Sequence, residues 1–153
     1  MIWKKTAFIC MLLGISLLVA TSARAQEGGA FSTYLVGTYD LRDGFTVLQV
    51  VNPTAQPLEV YFAFFDDNEK ALTCKKEKLS HNDLVEVNVK TLKLGAKFGV
   101  VKIVSLRDKK PAPGIVGFQR FFSAKLGIAE SNLAAVPAAV LDKELEIILG
   151  VCK

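Results

Sequence analysis

From Phe31 to Phe122 the sequence is a succession of short apolar runs cut by turn residues, the punctuation that an antiparallel β domain requires. Seven runs are expected as strands: Phe31 to Thr38, Phe45 to Val51, Leu58 to Phe65, Lys70 to Cys74, Leu84 to Val89, Phe98 to Leu106 and Ile115 to Phe122. The separators carry turn chemistry. Asp40-Leu41-Arg42-Asp43-Gly44 and Ser80-His81-Asn82-Asp83 supply Asx and glycine positions, and Asp66-Asp67-Asn68-Glu69 closes a hairpin. Asn52-Pro53-Thr54 stops the second strand, because proline cannot donate to a ladder. Lys109-Lys110-Pro111-Ala112-Pro113-Gly114 is read as the loop between the last two strands.

Two strands are apolar on both faces. Leu58, Val60, Phe62 and Phe64 alternate with Tyr61, Ala63 and Phe65, and Val101 and Ile103 lie opposite Val100 and Val104. A two-layer sandwich needs only one dry face per sheet, so something must cover the other. The C-terminus offers a cover. Leu141, Leu145, Ile148, Leu149 and Cys152 are spaced 4, 3, 1 and 3, a helical stripe, with Pro137 placed for N1 and Gly150 for C′. This predicts a helix over 137–149. The alternative at this point is a strand through Leu145-Glu146-Ile147. If a partner protein or a second copy of the chain covers that face instead, Tyr61 and Phe65 belong to the binding surface.

The N-terminus predicts export. Lys4 and Lys5, an apolar run from Ala7 to Ala20 and the segment Thr21-Ser22-Ala23-Arg24-Ala25 are the three parts of a secretory signal peptide. That run of about fourteen residues is short of the roughly 20 that span a bilayer. Cleavage after Ala25 leaves a lead, 26–30, expected to be flexible, and one domain over 31–153. Three of the 19 basic side chains, and none of the 15 acidic ones, leave with the signal, so the mature chain is close to neutral and no nucleic-acid partner is expected. The basic clusters Lys75-Lys76-Lys78 and Arg107-Lys109-Lys110 are read as solvated charge beside turns. Cys10 also lies in the signal. The remaining pair, Cys74 and Cys152, is expected to form a disulfide in an oxidising compartment. A redox or metal pair is the competing reading, but it lacks C-x-x-C spacing and a neighbouring His cluster.

The stretch Val50-Val51-Asn52-Pro53-Thr54, followed by Leu58 to Leu72 with its Asp-containing hairpin turn, resembles bacterial exported immunoglobulin-like modules. It is also similar to FxLYD-type domains, although the Phe-x-Leu-Tyr-Asp run itself is absent. The resemblance covers roughly Tyr34 to Phe122 and implies a β-sandwich that mediates binding or assembly. With it the expected fold class is all-β: an immunoglobulin-like antiparallel β-sandwich of about seven strands with one C-terminal α-helix.

No constellation in the chain amounts to an enzyme. Ser80, His81 and Asp83 are adjacent in one turn, where side chains seldom face one another, and no G-x-S-x-G elbow is present. Asp66 to Glu69 lacks the glycine-bent twelve-residue loop of a calcium site. No catalytic residue, metal ligand or cofactor is therefore assigned. The function expected is a non-catalytic periplasmic or extracellular module that binds or assembles with envelope or surface proteins, or with its own copies as a homo-oligomer. Its candidate partner surface is Tyr61, Phe65, Lys109 and Lys110. The alternative is a small-ligand or carbohydrate carrier using the Lys109-Lys110 loop and the aromatics Tyr34, Tyr39, Phe45 and Phe118, which at these spacings also suit core packing.

Overall fold

The computed structural model describes residues 31–153; the expected signal segment and the lead 26–30 lie outside the described residues. All seven expected strands are present, as β1 (Tyr34–Asp40), β2 (Gly44–Asn52), β3 (Leu58–Asp66), β4 (Ala71–Leu79), β5 (Asp83–Asn88), β6 (Phe98–Arg107) and β8 (Val116–Ser123). Three more correct the count to ten: β7 (Lys110–Pro111), β9 (Gly127–Asn132) and β10 (Ala134–Ala135). A 3-10 turn spans Val89–Leu92, and α1 runs Ala138–Val151. The helix thus extends past the expected end at residue 149. Gly150 lies inside it rather than at C′, and Pro137 is its N-cap rather than N1.

Pairing is antiparallel throughout. One sheet has the order β10-β1-β6-β3-β4, with β7 added to the end of β6, and the other has the order β5-β2-β8-β9. The two face each other across a core of Leu35, Tyr39, Leu48, Val50, Val60, Phe62, Phe64, Val87, Val101 and Ile103. The chain returns from β9 to β10 through Leu133, which is buried where Gly37 of β1 and Gly117 of β8 leave room. A side chain at either glycine would run into Leu133.

The second dry face of the six-stranded sheet lies under α1. Tyr34, Ala63, Phe65, Val104 and Leu106 pack against Leu141 and Ile148, with Leu145 and Leu149 partly buried beside them. Register explains the tether. Cys74 pairs with Ala63, so the two-residue period points its sulfur to the helix side, and it bonds Cys152 at a Cα–Cα distance of 5.0 Å. Polar ties accompany the apolar ones. Lys102 Nζ lies 2.5 Å from Glu144 Oε2, and the Tyr34 hydroxyl donates to the same oxygen at 3.4 Å.

Candidate functional site

Under the helix, Phe65 is only 4 % exposed, which corrects its assignment to a free surface. Tyr61 lies at the rim of the same contact, half-buried. Lys109 and Lys110 do not sit in a loop leading to β8. Asp108 and Lys109, both at positive φ, form the two-residue turn of a hairpin between β6 and β7, and Lys110 opens β7, paired to Arg107. The structure brings Tyr61 and Lys109 to one groove and leaves Phe65 and Lys110 out of it.

That groove, about 750 Å³, opens at the end of the six-stranded sheet where β3 begins and β4 and β6 end. Leu58, Tyr61, Leu106 and Leu149 give it apolar walls, and Lys76, Lys78, Arg107 and Lys109 give it cations. Its two carboxylates are Glu59 and Asp108. Glu59 is already engaged: Lys76 Nζ lies 3.0 Å from it and the Tyr61 hydroxyl donates to it at 3.0 Å. The Lys76 hydrogen bond holds the Glu59 carboxyl below the usual carboxylate range, against the opposing effect of burial. Lys76 also sits 4.9 Å over the Tyr61 ring. Three of these cations, Lys76, Lys78 and Arg107, were not singled out as site residues. The sequence read all three as solvated charge beside turns, but β4 continues through Lys76 and Lys78 as an edge strand, with Lys78 paired to Glu59 and Lys76 to Tyr61.

The four-stranded sheet has a different outer side. Phe45, Gln49 and Val51, partly buried, and Val47, itself buried, alternate with the inward Thr46, Leu48, Val50 and Asn52, and register carries that outer side across the sheet in rows. Phe45, Phe122 and Ile128 form one apolar row, with the two phenyl rings stacked at 4.9 Å and 10°. Leu84, Val51 and Val116 form another. Between them Arg120 Nε donates to Glu130 at 2.6 Å and Gln49 donates to Glu86 at 2.8 Å, so these four side chains pair with one another. Ile128 is 68 % exposed and Leu84 51 %. Among the described residues no element covers this face.

The other tested groups are absorbed by local structure. Asp83 Oδ2 accepts from the Ser80 amide and hydroxyl, both at 3.2 Å, and these bonds hold its carboxyl below the usual range. His81 Nδ1 donates to the Thr54 carbonyl at 2.7 Å, which leaves Nε2 to face the Asn82 amide rather than Ser80. Asp66 Oδ1 accepts from the Asn68 and Lys70 amides at 2.9 and 2.8 Å, an Asx turn. The four aromatics form no common platform. Tyr34 is under the helix, Tyr39 is between the sheets, and Phe45 and Phe118 are on the uncovered face.

No family model matches the chain, and no curated protein matches it. The fold is similar to the crystal structure of Thermotoga maritima 1070, with a TM-score of 0.55 over 71 % of this chain and 97 % of that one. At 11 % identity the likeness concerns the fold alone.

Proposed function

We propose that this chain is a non-catalytic, exported protein-binding module whose docking surface is the outer face of the four-stranded sheet. The observation that carries this reading is the unequal cover of the two sheets. One outer face is sealed by a disulfide-tethered helix, whereas the other presents the stacked Phe45 and Phe122 and the exposed Ile128 and Leu84. Apolar rows flanking polar side chains that pair with one another suit a protein partner, because docking there desolvates few unpaired groups. The signal-like N-terminus and the Cys74–Cys152 bond both favour an oxidising envelope compartment. The immunoglobulin-like reading extends to architecture only: two antiparallel sheets share one core, but β1 lies beside β6, where an immunoglobulin sheet would pair the first strand with the second.

A photocrosslinker at Ile128 in intact cells tests the proposal against one at Lys143 on the exposed side of α1. A discrete protein adduct from position 128 that disappears with Phe45→Glu, while the purified variant keeps its melting temperature, is the expected result. Equal adducts from both positions, or adducts indifferent to Phe45→Glu, would overturn it.

A further inference from the structure

The cationic groove at the end of the six-stranded sheet is a second site, remote in kind from the apolar face. We infer that it binds a small organic oxyanion, a phosphate monoester or carboxylate carrying an apolar ring or chain.

Its volume of about 750 Å³ falls in the range of small-molecule sites, roughly 300–1,000 Å³. Lys76 is committed to Glu59, but Lys78, Arg107 and Lys109 have no ion-pair partner among the described residues. Arg107 Nε is buried and finds no hydrogen-bond acceptor there. A buried guanidinium N–H without an acceptor is costly, and because Arg107 lines the groove, an oxyanion there can pair with the guanidinium as a whole. The turn that presents Lys109 is short and fixed: Ala112 donates to Ser105 at 3.0 Å, and the Ser105 hydroxyl donates back to Ala112 at 2.6 Å. Tyr61, Leu58 and Leu149 then give the ligand's body an apolar wall. A bare inorganic ion would leave that wall wet.

Titration of the isotopically labelled, oxidised protein with phenyl phosphate, inorganic phosphate and phenol, followed by amide chemical shifts, tests the inference. Phenyl phosphate is expected to saturate, to bind more tightly than either fragment, and to move amides of 58–61, 76–78 and 106–109. Added salt should weaken it. Arg107→Gln should weaken it roughly tenfold or more, the loss expected for a bond to a charged group. Lys109→Gln, on an exposed turn, gives a second test should Arg107→Gln fold poorly, and it too should lose affinity. No saturable shift, which would mean that water alone fills the groove, overturns the inference. So does equal affinity for inorganic phosphate, or affinity unchanged in both variants. Neither substitution touches the Phe45–Phe122 face, so this site and the docking surface fail or stand separately.

Discussion

Tyr39 shows how much one side chain settles that alternation alone does not. Its position in β1 marks it as apolar core, and it is only 1 % exposed, edge-on to Phe64 with ring centroids 6.0 Å apart. Its hydroxyl donates to the Phe65 carbonyl at 3.0 Å, beside Gly99, where any side chain would strike both groups. Burial first, and Asp66 and Asp67 next, push the phenol up to about 12. The sign of the linkage follows. Above the ordinary tyrosine value near 10 the unfolded chain releases this proton and the folded chain keeps it. The contribution is therefore complete below about pH 10 and declines as pH rises from there toward 12. Urea midpoints between pH 8 and pH 11 should fall in the wild type and fall less steeply in Tyr39→Phe. The variant itself should lose about 1 kcal/mol at neutral pH with the hydrogen bond. Asn52 makes a similar point: Asn-Pro-Thr was legible as a strand stop, but its hub was not. The amide nitrogen donates to the carbonyls of Gln56, Leu79 and Ser80, and the oxygen accepts from Thr54, joining segments distant in sequence.

Elements were legible where burial imposed a period on the sequence. The dual apolar faces of β3 and β6 announced two packing partners, and the stripe from Leu141 to Cys152 announced one of them. β9 was not readable, since Gly127-Ile128-Ala129-Glu130-Ser131-Asn132 is exposed throughout and its strand form comes from pairing with β8. β10 has two residues and exists because β1 offers it an edge. The expected end of the fourth strand at Cys74 failed for a related reason. Charge is tolerated on an edge strand, so Lys75 to Lys78 continue β4. The stripe also ranks its own members. Ile148 is fully buried and Leu141 nearly so, whereas Leu145 is only partly covered. Ile148→Ala should cost about 2–5 kcal/mol, and Leu145→Ala clearly less, by equilibrium urea unfolding of the oxidised protein. Equal losses would mean that α1 does not dock on the face described.

At the scale of the whole molecule, the Cys74–Cys152 bond decides which surface the protein offers. It was legible from compartment and parity, but its consequence was not: closing the helix over Phe65 hides one apolar face and leaves the four-stranded sheet as the open one. The groove was even less legible, because its walls come from β3, β4, the β6–β7 hairpin and the end of α1, brought together only by register and this bond. The bond spans 78 residues of sequence, which on the chain-entropy account corresponds to roughly 4 kcal/mol relative to the reduced chain. It also holds the last turn of the helix, so its effect and that of Ile148 should be coupled rather than additive. A cycle of wild type, Cys74→Ser/Cys152→Ser, Ile148→Ala and the combined variant, measured by urea unfolding, tests this. With the tether gone, the end of α1 is free to fray and Ile148 is less constrained to its pocket. Ile148→Ala should then cost less than in the oxidised protein, by about 0.5–3 kcal/mol, the range of coupling between contacting residues. An identical cost in both backgrounds would show that α1 holds its place by packing alone and that the disulfide acts only on the unfolded chain.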